Sequence, residues 1–148
     1  MGIEVGQKAP DFELEDQDGQ RFKLSAQGKR SLLVFYPGDE TPVCTAQLCE
    51  YRDGIEEFEG LGVEVIGISK DDAESHRRFR QKRGLPFRLL SDPGLVVAKR
   101  YGAAGMLGMK RAVFLVDPDL SVRYAHVEAV ALFRRSKDEL VDVIAKLA

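Results

Sequence analysis

Three short apolar runs constrain the fold of this chain more than any other feature of its sequence. They occupy residues 31–36 (SLLVFY), 63–68 (VEVIGI) and 112–116 (AVFLV). Runs this short and this rich in Val, Leu, Ile and Phe are typical of strands buried on both faces of a sheet. Patterns typical of helices lie between them, from about Cys44 to Phe58 and from Asp71 or Asp72 to about Arg83. Strands that alternate with helices predict an α/β protein.

The remaining segments predict that the sheet is mixed. Residues 12–15 and 21–24 alternate in polarity around Asp18-Gly19, which predicts an N-terminal β-hairpin. Short strands are expected at 87–90 and 121–126, and helices at 91–101 and 137–147. We therefore expect a central mixed β-sheet flanked by helices. No stretch of the 148 residues has the composition of a linker, so a single domain over 1–148 is expected.

The charge balance argues against polyanionic partners. The chain has 22 basic and 24 acidic side chains and a net charge of -2, which gives no field for nucleic acid or an anionic membrane. The basic run at 77–83 is interpreted as a solvated helix face, with His76 facing solvent beside it. No segment approaches the roughly 20 apolar residues of a membrane helix, and the N-terminus lacks a signal-peptide core. We expect a cytoplasmic protein without a membrane partner.

The two cysteines are the candidate reactive groups. Cys44 follows a buried strand and a turn-rich loop, at or near the start of a helix, where unsatisfied N–H groups and the helix dipole favour a thiolate. Cys49 lies five residues later. In an intact helix their Cα atoms would be roughly 8 to 9 Å apart, whereas a disulfide needs them within about 7 Å. A bridge between them would therefore require the first helical turn to unwind.

Spacing alone leaves other interpretations open. Cysteines in a reducing compartment are often small buried hydrophobes. A metal site is less favoured, because two thiols supply half of a tetrahedral shell and His76 and His126 lack ligand-like spacing to them. The Cys-x-x-Cys of disulfide oxidoreductases is absent. A cysteine hydrolase would need a base; His126 could reach in principle, but it is interpreted as an ordinary strand residue.

A longer motif around Cys44 carries a family resemblance. Pro37, Thr41 and Cys44 match the Pro-x-x-x-Thr-x-x-Cys signature of peroxiredoxins, and the chain resembles the bacterioferritin-comigratory-protein (PrxQ) type. The resemblance covers nearly the whole chain. Further matching segments are residues 9–12 (APDF), 67–71 (GISKD), 85–92 (LPFRLLSD), and Arg111 with 114–117 (FLVD).

The resemblance implies a thioredoxin-like fold and a thiol peroxidase acting on hydrogen peroxide and organic hydroperoxides. Cys44 would be the peroxidatic cysteine, and Cys49 the resolving cysteine of an intramolecular disulfide. Thr41 would hydrogen-bond the thiolate and the peroxide, Pro37 would shield the thiolate, and Arg111 would hold sulfur and peroxide electrostatically. The reductant would be thioredoxin or a glutaredoxin-like protein. No metal or organic cofactor is implied, and an intrachain disulfide favours a monomer.

Two departures from the family pattern bear on the site. Val43 stands where the family usually has glycine, so either that glycine is unnecessary for the backbone shape or the loop is altered. The segment 102–109 is shorter than in many relatives; its Met106, Leu107 and Met109 either form an apolar rim over the site or anchor the loop. A redox-responsive regulatory protein and an inert domain with buried thiols are the rival functions.

Overall fold

The computed structural model describes residues 3–106, 108–128 and 134–147. Within them the strands are β1 (Glu13–Asp16), β2 (Arg21–Lys23), β3 (Arg30–Phe35), β4 (Val63–Ser69), β5 (Arg88–Ser91), β6 (Ala104–Gly105), β7 (Gly108–Met109), β8 (Ala112–Val116) and β9 (Val122–Val127). The α-helices are α1 (Pro42–Asp53), α2 (Ile55–Gly60), α3 (Ala73–Arg83), α4 (Val96–Arg100) and α5 (Lys137–Lys146). Short 3₁₀ helices cover Leu24–Ala26 and Pro93–Leu95.

The main sheet is mixed, as predicted. Its strand order is β2-β1-β5-β4-β3-β8-β9. The middle strands β3, β4 and β5 are parallel, whereas β8 and β9 continue the sheet antiparallel on one side. The predicted N-terminal hairpin is β1–β2, and β1 joins the sheet antiparallel to β5. β6 and β7 form a separate small hairpin.

The three apolar runs are the central strands, and each is buried on both faces. On β3, Leu33 and Phe35 point to one apolar layer while Leu32 and Val34 point to the other, because successive side chains of a strand alternate. The layer that contains Leu32 and Val34 also contains side chains of α1, α2, α3 and α5. Cys44 belongs to this layer. None of the helices in the described part of the chain is long and apolar enough to cross a membrane.

The helix predicted over residues 44–58 is two helices in the structure. α1 begins two residues earlier, with Pro42 in its first turn, where a missing N–H costs no hydrogen bond. It ends at Asp53, because Gly54 (φ −102°, ψ 17°) leaves the helical region before α2 starts. Cys44 is therefore the third residue of α1 rather than the first.

The helix predicted over residues 91–101 is also interrupted. Gly94 and Leu95 have positive φ angles of 74° and 57°, which separates the 3₁₀ turn from α4. The buried Asp92 caps α4, because its carboxylate accepts hydrogen bonds from the N–H groups of Val97 and Ala98. The helix that Asp92 caps therefore starts at Val96, later than the predicted start.

The prediction that His76 faces solvent is wrong. His76 is fully buried on the inner face of α3, together with Phe79. Its ring lies against Asp39 and the carbonyl of Leu90. The basic residues around it do face solvent, so the charged composition of the helix concealed one buried polar position.

Candidate active site

Cys44 lies where the loop after β3 meets the start of α1. The first hydrogen bond of α1 runs from the N–H of Thr45 to the carbonyl of Thr41 at 2.8 Å. The Thr41 side chain does not cap the helix, so it leaves the first N–H groups of α1 without that partner. The Cys44 side chain is completely buried, and its thiol is free. The sulfur therefore sits near the positive end of a helix dipole and away from bulk water.

Arg111 reaches the sulfur from the neighbouring part of the sheet. It directly precedes β8, whose Ala112 pairs with Phe35 at the end of β3. This register brings residues that are 67 positions apart to the same edge, and Arg111 Nη1 lies 3.2 Å from Cys44 Sγ. The arginine is only 2% exposed. A guanidinium stays protonated at any working pH, so it stabilises negative charge on the sulfur and on an oxygen bound there.

Gln47 is a site residue that is not among the candidates predicted from the sequence. Its Oε1 accepts a hydrogen bond from Arg111 Nη1 at 2.7 Å, and its Nε2 donates to the hydroxyl of Tyr51 at 3.0 Å. Tyr51 in turn donates to the carbonyl of Arg135 at 2.6 Å. Burial raises the pKa of Tyr51, so its hydroxyl keeps its proton. Gln47 lies one helical turn after Cys44, and this spacing on the buried face was the available signal.

Cys44, Arg111, Gln47 and Tyr51 are called the sulfur cluster below. Three of its members lie on α1, and Arg111 comes from the sheet. All four side chains are buried. Within the cluster, the hydrogen bond to Gln47 holds Arg111 Nη1 in place close to Cys44 Sγ.

Thr41 and Pro37 lie in the loop between β3 and α1. The Thr41 hydroxyl donates its proton to the carbonyl of Gly38 at 3.0 Å. It therefore does not donate to Cys44 in this arrangement, and its contact with the thiolate or a peroxide stays a prediction that needs a rotation of the hydroxyl. Pro37 is half-buried and lies two residues after the end of β3. Its shielding of the sulfur stays a prediction as well.

Cys49 lies on the same continuous helix as Cys44. It is half-buried, and its thiol is free. Because α1 is unbroken from Pro42 to Asp53, the two cysteines are in the arrangement that helical geometry makes too long for a disulfide. Forming the bridge requires residues between them to leave the helix.

Val43 is compatible with the backbone of the site. It lies inside α1 and does not have a positive φ angle. A glycine at this position is therefore not required for the backbone shape. Its side chain is half-buried beside Cys44 in sequence, and its effect on access or on unwinding stays a prediction.

The segment 102–109 does not form the apolar rim as a unit. Met109 is buried in the apolar layer on the opposite face of the sheet from Cys44, whereas Met106 is fully exposed at the turn between β6 and β7. Leu107 lies outside the described residues. In the described ranges, no group of three or more His, Cys, Asp or Glu side chains is arranged to hold a metal ion.

Comparison with known proteins places this geometry in a family. The AhpC/TSA family matches residues 5–125. The chain belongs to the AhpC/TSA family. It is 52% identical over 128 residues to the chloroplastic peroxiredoxin Q of Triticum aestivum, a match that covers 84% of this chain and 59% of that protein. It is 43% identical over 129 residues to the peroxiredoxin Bcp of Bacillus subtilis (strain 168), covering 80% of this chain and 82% of that protein.

The fold of this AhpC/TSA chain matches solved structures. Peroxidoxin BcpB from Mycobacterium tuberculosis superposes with a TM-score of 0.85 at 31% identity, covering 98% of this chain and 96% of that one. The thioredoxin-like fold and the resemblance to peroxiredoxins of the bacterioferritin-comigratory type are thereby confirmed. The chain spans 59% of the length of its chloroplastic relatives from Oryza sativa and Triticum aestivum.

The loop before α1 of this AhpC/TSA chain is held by α3. Glu40 has a left-handed backbone (φ 63°), a conformation that costs a non-glycine residue about 1–2 kcal/mol. Its carboxylate pairs with Lys82 at 3.0 Å and Arg83 at 3.3 Å, both in the last turn of α3. The N–H of Asp39 donates to the carboxylate of Asp71 at 2.8 Å. The loop that carries Thr41 is therefore anchored to elements other than α1.

Proposed function

We propose that this chain is a thiol peroxidase that reduces hydrogen peroxide and organic hydroperoxides through Cys44. The observation that carries the proposal is the contact between the buried guanidinium of Arg111 and Cys44 Sγ at 3.2 Å, at the N-terminus of α1. A sulfur that served only as a small core hydrophobe would not need a buried charge beside it, because burying a charge is costly unless it is paired. The relatives' names support the same activity.

In the first step the Cys44 thiolate attacks the terminal oxygen of the peroxide. A sulfur–oxygen bond forms, the oxygen–oxygen bond breaks, and the departing oxygen leaves as water or an alcohol after taking up a proton. Sulfur is oxidised to a sulfenic acid. Negative charge moves from sulfur to the departing oxygen, and Arg111 with the N–H groups at the start of α1 supplies fixed donors for it.

In the second step Cys49 resolves the sulfenic acid. Its thiol attacks Cys44 Sγ, a disulfide forms, and the sulfenic oxygen leaves as water. Because α1 holds the two sulfurs apart, this step takes place after local unwinding between Cys44 and Cys49. A dithiol protein, thioredoxin or a glutaredoxin-like one, then reduces the disulfide by thiol exchange.

Four further parts of the proposal rest on these steps. Thr41 would bind the peroxide, and Pro37 would keep water from the sulfur. The disulfide forms within one chain, so the single domain would act as a monomer. A dithiol reductant is available in a reducing compartment, which supports a cytoplasmic location.

The test is peroxide turnover coupled to thioredoxin and its reductase. Wild type, Cys44→Ser and Cys49→Ser are compared. We expect wild type to turn over many times, Cys44→Ser to be inactive, and Cys49→Ser to consume about one equivalent of peroxide before it stops. Full activity in Cys44→Ser would refute the assignment of the nucleophile.

The same assay separates the rival functions. Wild type that is oxidised once and not recycled by any dithiol protein would indicate a redox-responsive regulatory protein. Wild type whose thiols resist dilute peroxide would indicate an inert domain with buried cysteines. Either outcome would overturn the proposed activity.

A further inference from the structure

The carboxylate of Asp39 is the centre of a second buried polar cluster, beneath the loop that leads to Cys44. Its Oδ1 accepts a hydrogen bond from the hydroxyl of Tyr36 at 2.6 Å. Its Oδ2 accepts from the hydroxyl of Ser75 at 2.8 Å and lies 2.8 Å from Nδ1 of His76. The Asp39 side chain is 2% exposed and that of His76 is fully buried. Asp39, His76, Tyr36 and Ser75 are called the loop cluster below.

The hydrogen bonds of His76 require a proton between the ring and Asp39. Nε2 lies 3.1 Å from the carbonyl oxygen of Leu90, which can only accept, so Nε2 carries a hydrogen. Nδ1 faces a carboxylate oxygen. A favourable contact there needs a second proton, either on Nδ1 or on Asp39. His76 and Asp39 therefore hold one proton between them in the arrangement that the structure shows.

The other ionisable groups around this pair have settled roles. Burial, reinforced by the negative charge of Asp39, raises the pKa of Tyr36 well above its ordinary value, so Tyr36 remains a donor to Asp39. The carboxylate of Asp71 accepts from the N–H of Asp39 and from the hydroxyl of Ser69 at 2.7 Å. Asp72 is exposed and caps α3 through the N–H of Ser75.

Two of the charged side chains farther out, Glu40 and Arg88, are in ion pairs of their own. In the loop, Glu40 pairs with Lys82 and Arg83, as described above. On β5, Arg88 pairs with Glu64 at 2.9 Å. Loss of the proton held by His76 and Asp39 would place a lone pair of Nδ1 against a lone pair of the carboxylate oxygen inside the cluster.

Asp39 is connected to the active site by a short stretch of backbone and two hydrogen bonds. The adjacent Gly38 carbonyl accepts the hydroxyl of Thr41, and the Thr41 carbonyl accepts the first helical hydrogen bond of α1. Arg111 belongs to a different element, next to β8. A shift of Asp39 would therefore move Thr41 and Cys44 relative to Arg111.

We propose that Asp39 and His76 are positioning residues that hold the peroxide-reactive loop in register with Arg111 through a proton they share. The inference rests on the proposed peroxidase function. Loss of this proton in alkaline solution removes the hydrogen bond between Asp39 and His76, which is one of the contacts that join the loop to α3. The rate constant for oxidation of Cys44 by peroxide then falls with rising pH, independently of the ionisation of the sulfur.

Asp39→Asn is the decisive variant because it keeps the hydrogen bonds without the titrating proton. The amide oxygen still accepts from Tyr36. One amide hydrogen points to Nδ1 of a neutral His76, and the other is accepted by the hydroxyl of Ser75, which can act as donor or acceptor. Asp39→Ala removes all of these contacts. Ser75→Ala is the matched control, because it deletes a neutral hydrogen bond to the same carboxylate oxygen and leaves the shared proton in place.

The experiment measures the second-order rate of Cys44 oxidation by hydrogen peroxide by stopped flow between about pH 5 and pH 10, a range that brackets ordinary acid–base groups. We expect Asp39→Ala to react about 10- to 100-fold more slowly at every pH, as for a misplaced reacting group. Asp39→Asn should stay within about 3-fold of wild type at neutral pH and lack the alkaline fall, whereas Ser75→Ala should keep it. Thermal unfolding of each variant shows whether it is folded.

Each other outcome counts against the proposal. An alkaline fall in Asp39→Asn equal to that of wild type would overturn it, and so would a wild-type profile without an alkaline fall. Loss of activity in Asp39→Asn equal to that in Asp39→Ala would also overturn it, because the charge of Asp39 and not the shared proton would then be what the protein requires. Failure of wild type to react with peroxide at all would instead refute the proposed function, so the two failures are distinguishable.

Discussion

The sulfur cluster lies at the start of α1, and the loop cluster lies at the loop that precedes α1. The two clusters differ in the kind of charge that they contain. The sulfur cluster places a permanent cation against the reacting atom, with Arg111 3.2 Å from Cys44 Sγ. The loop cluster contains an acid and a base that share a proton, and it joins the preceding loop to α3 and β5. We infer that one cluster supplies charge to the reaction and the other supplies position.

The clusters also differ in how they relate to α1, the helix that unwinds in the proposed resolving step. Gln47 lies between Cys44 and Cys49 on α1, so unwinding for the disulfide removes it from Arg111. The loop cluster is built from the loop that follows β3 and from α3, and none of its side chains lies on α1. The contacts of the sulfur cluster are therefore broken in each proposed catalytic cycle. The contacts of the loop cluster do not involve α1, so they can remain in place while α1 unwinds and refolds.

Replacing Arg111 gives the largest effect that this comparison predicts. Arg111→Met keeps much of the buried volume and removes the charge, so we expect the rate constant for Cys44 oxidation to fall by about 10²- to 10³-fold, as for loss of a preorganised donor in an active site. Stopped-flow oxidation of Cys44 measures it. Arg111→Lys is the matched control; it keeps the charge without the planar fork and should lie in between. An Arg111→Met rate within about 3-fold of wild type would mean that the sulfur cluster does not supply charge.

A smaller effect is expected at Gln47, which orients the arginine rather than touching the peroxide. Gln47→Leu removes the acceptor for Arg111 Nη1 and leaves a buried donor and the Tyr51 hydroxyl with one partner fewer. We expect a loss of about 10-fold in the oxidation rate, of the order of one hydrogen bond to a charged group. The pH at which the rate of Cys44 alkylation by iodoacetamide is half-maximal should change in the same variant. A purely structural role would not produce this change. If the alkylation profile is unaltered, Gln47 does not orient Arg111.

The smallest effect on the chemistry is expected at Tyr51, at the far end of the sulfur cluster. Tyr51→Phe leaves the Arg135 carbonyl and the Gln47 amide without their shared partner. We expect the free energy of unfolding to fall by about 1–2 kcal/mol, as for buried polar groups left unsatisfied. The oxidation rate should change by less than about 3-fold, because neither reacting atom is touched. Denaturant unfolding and stopped flow measure the two quantities, and a rate loss as large as that of Gln47→Leu would extend the site to Tyr51.

Much of the fold was predictable from the sequence because its signals are local. The runs at 31–36, 63–68 and 112–116 are apolar on both alternating faces, and the Asp18-Gly19 turn fixes the hairpin. The helix ends were less accurate. Gly54 and Gly94 interrupt predicted helices by leaving helical backbone geometry, and nothing in the periodicity of the neighbouring side chains marks this.

The site was predictable only in part, because its contacts join distant segments. Cys44 was a candidate from its place after a strand, but its pairing with Arg111 came from the family resemblance, since spacing cannot link residues 67 positions apart. Gln47 was overlooked because a glutamine in a helix usually faces solvent. His76 was placed on the wrong face because its basic neighbours dominate the pattern, and its partner Asp39 is 37 positions away.

The central claim is that the Cys44 sulfur reacts with peroxide in the folded protein. The most direct measurement is the intact mass of Cys49→Ser after treatment with one equivalent of hydrogen peroxide in the presence of dimedone, a reagent selective for sulfenic acids. We predict one dimedone adduct per chain, located at Cys44 by peptide mapping and absent from Cys44→Ser. An unmodified Cys44 in folded Cys49→Ser protein would contradict the account.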